Sequence, residues 1–255
     1  MNASIPLSLQ AIIDDCGLPV QRTEQVNGGD INSAYCLHTR SGKYFLKVNQ
    51  AAIYPDMFLK EAAGLSSLNK SKTVAVPEII KTGIAGEQQY LLLEWIEKGK
   101  PAKNFWDTFG QQLALLHQQP QEYFGWTTDN YIGRLKQSNK RHGSWSDFYT
   151  ECRIMPLVEL LFNKQLFSRS DINAAGHFCN QLDTLFPVEH PALLHGDLWS
   201  GNYSVTPDGG PIFFDPAVYY GHREMDLGMT QLFGRFDPRF YEAYQEVYPL
   251  EPGWE

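Results

Sequence analysis

The run HGDLWSGN at 195–202, with Asp215 of FFDP thirteen positions beyond it, limits what this chain can be more than any other stretch. A phosphoryl group in transfer spreads negative charge over its oxygens. Catalysis then comes from positioning, from divalent metal, and from one group that accepts the proton of the attacking hydroxyl. Magnesium takes hard oxygen ligands in octahedral geometry and keeps some water, so one carboxylate and one amide oxygen suffice beside nucleotide phosphates. Asn202 and Asp215 supply that pair, which leaves Asp197 free to act as the base. The three residues are therefore expected to converge on one magnesium-bound phosphoryl group and to serve a small-molecule kinase. The plainer alternative, ordinary turns that happen to contain Asp and Gly, has to be weighed against the flanking segments.

Those segments fit. Residues 171–186, DINAAGHFCNQLDTLF, set Phe178, Leu182 and Leu185 at helical spacing, with Asp171 as the expected N-cap. After the loop, 203–205 and 212–214 are short apolar runs joined by TPDGG, which predicts a hairpin ending on Asp215. The five-residue step from Asp197 to Asn202 is the base-to-Asn spacing of the protein-kinase catalytic loop. Helix, catalytic loop, hairpin and metal aspartate in this order match the C-lobe core of the protein-kinase-like fold.

The N-terminal third carries the complementary half. In GKYFLKVNQ at 42–50, Phe45 and Lys47 share one strand face while Tyr44, Leu46 and Val48 share the other. The helical pattern at 57–68 places Glu61 on the apolar stripe of Phe58, Leu65 and Leu68. Each inward ion costs several kcal/mol unless paired, so Lys47 is expected to pair with Glu61 and to meet ATP phosphates. A snorkelling Lys47, with Glu61 at the edge of the stripe, is the alternative. Upstream, VNGGDINSAYCL allows a tight turn at Gly28 and Gly29, with Asn32 and Ser33 as donors to phosphate oxygens. It is neither a Walker loop nor GxGxxG. The apolar strand at 90–93 leads into Glu94, Trp95 and Ile96, where backbone groups are expected to read the adenine edge.

Taken together, GGDINSAYCL, FLKVN, LLLEWI, FGWTTDNYIG, LLHGDLWSGN and FFDPAVYYGHREMDLGMTQLFG resemble the fructosamine/ketosamine kinase family, a branch of the aminoglycoside-phosphotransferase-like kinases. The resemblance spans nearly the whole chain. It implies ATP- and Mg2+-dependent phosphorylation of the ketose C3 hydroxyl of Amadori adducts, whose phosphorylated form is unstable, so that the amine is restored. It further implies Asp197 as proton acceptor, Asn202 and Asp215 as magnesium ligands, Lys47 and Glu61 as orienters of ATP phosphates, and 94–96 as the adenine site. Trp199 is the first substrate-side candidate, and Trp126, Asn130, Tyr131, Tyr219 and His222 are further ones. A chain with 13% aromatics buries several of them whatever it binds. Asp226 in REMDL is expected to be structural, capping backbone donors. Family members continue past the equivalent of EPGWE, and a shortened C-lobe would leave apolar surface near Phe233, Phe236 and Phe240.

At 255 residues and 43% hydrophobic, the chain can bury a sizeable core as one domain or two close lobes. The net charge of −8 and the lack of a basic block argue against a nucleic-acid partner. Four cysteines without CxxC spacing and an N-terminus without a basic region predict a cytoplasmic protein with reduced thiols. No apolar run approaches the length of a membrane span.

The expected fold class is α+β, a bilobal protein-kinase-like fold. Residues 1–97 form a nucleotide-binding N-lobe of antiparallel sheet plus helix, and 98–255 form a mainly helical, catalytic and substrate-binding C-lobe. The first C-lobe helix shows in Phe105, Phe109, Leu113 and Leu116 before Pro120. The polar stretch 136–145 is expected to be a solvated loop, with a border on the substrate mouth as the alternative. Two other function classes are compatible with parts of this pattern. A kinase for choline, an aminoglycoside or another alcohol would keep the same base and metal residues. A non-catalytic nucleotide-binding module would show decay at those positions, and none is seen.

Overall fold

The computed structural model describes residues 6–26, 31–119 and 121–254. The expected turn at Gly28 and Gly29 and the helix stop at Pro120 lie outside the described residues. The chain runs α1 (Leu7–Cys16), β1 (Arg22–Val26), β2 (Ser33–His38), β3 (Lys43–Gln50), α2 (Met57–Ser71), β4 (Ile79–Ala85), β5 (Gln88–Glu94) and α3 (Phe105–His117). Strands β6 (Asn130–Ile132) and β7 (Leu135–Gln137) precede α4 (Trp145–Tyr149), a π-helical turn, α5 (Met155–Asn163), α6 (Arg169–Cys179) and α7 (Leu182–Leu185). β8 (Ala192–Leu194) enters the 195–202 loop. β9 (Tyr203–Val205), β10 (Pro211–Phe213), β11 (Tyr219–Gly221), α8 (Glu224–Leu232) and α9 (Pro238–Val247) follow.

The fold is α+β, and the chain divides into two compact units. The first joins Met1–Phe105 to Tyr203–Asp215. Its five antiparallel strands lie in the order β1-β2-β3-β5-β4. Alternation on β3 sends Leu46 and Val48 to one face, where they pack with Leu37, Tyr90 and Leu92 against Leu9, Ile12 and Ile13 of α1. Lys47 and Asn49 therefore face the other way, and α2 buries Phe58, Leu65 and Leu68.

The division differs from a cut after residue 97. Segment 98–105 and the β9–β10 hairpin stay with the sheet unit, because their backbone groups bond there. Gly99 N–H donates to Val205 C=O (2.9 Å), Ala102 N–H to Gly209 C=O (3.1 Å), and Phe213 N–H to Ala75 C=O (2.9 Å).

The second unit comprises Trp106–Asn202 and Pro216–Glu255. α3 buries Phe109, Leu113 and Leu116 at the expected spacing, and Trp106 and Phe109 pack on Phe236 and Phe240. Of the three phenylalanines expected at an apolar surface, Phe236 and Phe240 are thus interior and only Phe233 is open, at 62% exposure. Ser168, rather than Asp171, caps α6. Asp171 is the third helical residue of a capping box, its Oδ2 accepting the Ser168 N–H at 2.8 Å. The 171–186 stretch is two helices, not one. The break after Cys179 shifts the helical phase, so Leu182 is buried while Phe178 and Leu185 are exposed. The 136–145 stretch is likewise not a free loop. Asn139 is 1% exposed, donating to Asp129 Oδ1 (2.8 Å) and Thr128 C=O (3.1 Å) and accepting from Arg153 (2.8 Å). Burial of an amide demands such partners.

Candidate active site

In the sheet unit, strand alternation and the helical stripe bring Lys47 and Glu61 together. Lys47 Nζ donates to both Glu61 carboxylate oxygens at 2.9 Å and to Asp215 Oδ1 at 2.7 Å. Asp215 follows β10 with φ 55, a left-handed conformation that Asp tolerates better than most residues. Its side chain is 41% exposed, against 4% for Lys47 and 10% for Glu61. Burial alone would lower the Lys47 pKa, but the Asp215 and Glu61 carboxylates outweigh it and hold the ammonium above its ordinary range. Two carboxylates compete for that one cation. Burial, with the Asp215 charge added, pushes Glu61 up to about 7 against the pull of Lys47.

Around this triad, Asn32 Oδ1 accepts from Asn49 Nδ2 at 2.8 Å, and Ser33 is exposed at the start of β2. Glu94 is tied to Glu78 twice, through its backbone N–H (3.0 Å) and through its Oε1 (2.8 Å). The Glu94 side chain is thus committed to the sheet end. Trp95 lies 6.3 Å from the Phe45 ring, with Lys43 Nζ 5.8 Å over its face.

In the second unit, the 195–202 loop is held by a carboxylate distant in sequence. Asp226, 1% exposed on α8, accepts the His195 N–H at Oδ2 (2.7 Å) and the Gly196 N–H at Oδ1 (2.9 Å). His117 Nε2 lies 3.2 Å from the same Oδ2, and His117 Nδ1 lies 2.8 Å from the Tyr244 hydroxyl. Burial would raise the Asp226 pKa, but the hydrogen bonds and charge of its partners hold it below the ordinary value. Gly196 has φ 82, and a Cβ there would overlap the Ala217 carbonyl, so the turn admits no larger residue.

The next residues are Asp197 and Asn202. Asn202 Nδ2 donates to Asp197 Oδ2 (2.9 Å) and to the Asp197 C=O (2.8 Å). The amide N–H atoms are used inside the loop, so Oδ1 is the atom suited to a hard cation. The Trp199 ring folds over Gly201, where a Cβ would collide with it, and meets Phe233 edge to face at 5.3 Å. Ser200 Oγ donates to the Phe233 C=O at 3.2 Å.

Residues 8–255 match the family model for fructosamine kinase. The chain belongs to the fructosamine kinase family. A Synechocystis sp. protein described as "Probable ketoamine kinase" is 40% identical over 257 residues, covering 96% of this chain and 83% of that one. The chloroplastic protein-ribulosamine 3-kinase of Oryza sativa subsp. indica is 38% identical, covering 90% of this chain and 68% of that one. The crystal structure of a Thermobifida fusca protein assigned as a fructosamine-3-kinase superposes with a TM-score of 0.85 at 31% identity, covering 98% of this chain and 87% of that one. At 17% identity and a TM-score of 0.59, a spectinomycin phosphotransferase covered over 81% of its length shares the fold alone. The fold is that of the protein-kinase-like phosphotransferases, and this family member is an ATP-dependent phosphotransferase acting on a hydroxyl.

For this member of the family, the remaining substrate-side candidates divide by burial. His222 is fully buried, its ring against Trp145 and Phe186 and its Nε2 3.2 Å from the Pro187 C=O. Tyr219 stacks on Phe148 in the core, with the Arg153 guanidinium 4.2 Å from its ring. Asn130 donates to the Val218 C=O at 2.8 Å and is 7% exposed. These three side chains are committed to the interior, where their polar atoms hold structure together. Tyr131 is 9% exposed, and Trp126 is half-buried with its ring 4.9 Å from Tyr220.

Asp226, expected to be structural and to cap backbone donors, does so for the loop before Asp197 and not for its own helix. Two contributors escaped sequence reading: His117, which meets Asp226, and Tyr244, which meets His117. The signal for His117 was faint. It lies four residues after Leu113, on the buried stripe of α3, where a polar residue needs a partner.

Proposed function

We propose that this chain phosphorylates the C3 hydroxyl of ketosamines, such as fructosyl adducts of amines, and so initiates their removal. The similarity over almost the whole chain to proteins described as ketoamine and ribulosamine kinases carries this assignment. Asp197 accepts the proton as the acceptor oxygen bonds to the γ-phosphorus and the bond to the ADP oxygen breaks. Asn202 Nδ2 keeps the Asp197 carboxylate aimed during that transfer. Lys47, positioned by Glu61, neutralises ATP phosphate oxygens, and the sheet unit is the nucleotide-binding half. Asn32 and Ser33 add donors to those oxygens, and backbone groups at 94–96 read the adenine.

Asn202 Oδ1 and the Asp215 carboxylate are the hard-oxygen donors that would hold Mg2+, which supplies charge neutralisation to the phosphates when bound. Among the described residues no cluster of three His, Cys, Asp or Glu forms a metal cage, and a nucleotide-bound Mg2+ asks for only one or two protein ligands. Asp215, whose Oδ1 meets Lys47 at 2.7 Å, would be one of that ion's ligands. Trp199, two residues past the base, offers a flat apolar face to the sugar.

An ATP-consumption assay over ketosamines, free sugars, choline and aminoglycosides, with the product located by NMR, tests the assignment. Phosphate on C3 of fructosyl-lysine, with free lysine inert, is expected. Phosphate on choline or an aminoglycoside, with fructosyl-lysine ignored, would leave a kinase of another specificity.

A further inference from the structure

Helix α2 carries Glu61, and its start has no side-chain cap from the residue before it: Asp56 has φ 59 and makes no such bond, while the Met57 N–H donates to the Tyr54 C=O at 3.2 Å. The side-chain bond to the first turn comes from the sheet. Gln89, on β5 and 3% exposed, accepts the Phe58 N–H at Oε1 (3.4 Å) and donates through Nε2 to the Tyr54 C=O. One amide therefore grips both the first turn of the helix and the chain that enters it. Directly across the ladder from Gln89 stands Asn49, 8% exposed. Its Nδ2 donates to Asn32 and lies 3.3 Å from Met57 Sδ at the helix start.

Two amides buried on the face of a sheet are an expensive choice where apolar residues would pack, unless direction matters. The apolar stripe of α2, Phe58, Leu65 and Leu68 with Met57 and Ala62, repeats about every turn. Such packing discriminates weakly between registers one turn (about 5.4 Å) apart. A slip of that size would carry Glu61 out of reach of Lys47, whose bonds to it are 2.9 Å long. A hydrogen bond to one named N–H and one named C=O does not survive the slip.

We infer that Gln89 is a positioning residue for phosphate binding: it sets the axial register of α2 and thereby keeps Glu61 on Lys47. The inference rests on the proposed role of Lys47 toward ATP phosphates. Gln89 touches no reacting atom and acts only through Glu61.

The test is a double-mutant cycle on MgATP affinity, measured by calorimetry without acceptor, beside steady-state kinetics. Gln89→Met keeps length and loses both bonds. It should weaken MgATP binding about tenfold, with acceptor KM changed less than about twofold. Gln89→Glu keeps the acceptor for the Phe58 N–H and should fall between Gln89→Met and wild type. In Glu61→Gln, adding Gln89→Met should produce little further loss, because both act through one contact. Wild-type affinity in both Gln89 variants, or a loss that adds fully to that of Glu61→Gln, would overturn the inference and leave the Lys47 assignment standing. A Glu61→Gln protein that binds MgATP as wild type does would remove the assignment itself, and the inference with it.

Discussion

At Asp197 the carboxylate is aimed by the Asn202 amide at 2.9 Å, and a proton acceptor in that position contributes chiefly to turnover. Asp197→Asn is expected to lower kcat by about 10²- to 10⁴-fold with MgATP affinity nearly unchanged, read by steady-state kinetics and calorimetry. More than about a third of wild-type kcat would exclude the role, since a general base contributes far more than that. Glu61 makes a separate, pH-dependent contribution. Its folded pKa of about 7 lies above the ordinary 4.5, so the stability it adds is full below about 4.5 and is lost as pH rises through about 7. The denaturant midpoint of the nucleotide-free wild type should therefore fall relative to Glu61→Gln between pH 4.5 and pH 7.5. Parallel pH profiles for the two proteins would show that Glu61 keeps its ordinary pKa.

At the scale of elements, α8 and α3 reach the 195–202 loop through one carboxylate. Asp226→Ala would leave the buried His195 N–H without an acceptor, at about 1 to 3 kcal/mol, and remove that of the half-buried Gly196 N–H as well. Stability and kcat should both drop. His117→Phe is the milder probe, because it removes the Nε2 contact and leaves both backbone bonds to Asp226. Its kcat is expected to fall about tenfold to a hundredfold while KM for MgATP holds, since a hydrogen bond to a charged carboxylate contributes about 1.5 to 3 kcal/mol and its loss here acts on loop geometry. An unchanged kcat in a destabilised His117→Phe protein would make the His117 contact a matter of folding alone.

For the molecule as a whole, any ligand that binds only the folded chain is linked to folding. A ligand at a hundred times its Kd adds about 2.7 kcal/mol to stability, which for a chain of this size raises Tm by roughly 5 °C or more. MgATP should stabilise the wild type by that margin in differential scanning fluorimetry, and chelating the metal should abolish most of the gain. Asp215→Ala should show no magnesium-dependent part of the shift. Full restoration by excess magnesium would place Asp215 outside the metal's ligands.

Local covalent spacing and periodicity made much of this molecule legible in the sequence. The 195–202 run and the strand alternation at Lys47 are set within a few residues, as is the stripe that turns Glu61 inward, because period and direction follow from the backbone itself. Membership of the fructosamine kinase family, read from the same motifs, matches the family model over 8–255. Contacts at long range were decided elsewhere. Lys47 meets Asp215 across 168 residues and His117 meets Asp226 across 109, and no local rule says which acid a buried cation will find. The same holds for Tyr219, His222 and Asn130. Residue type marks a side chain as able to touch a sugar or to fill a core, and only the packing of the folded chain assigned these three to the interior, where each buried polar atom had to find a partner.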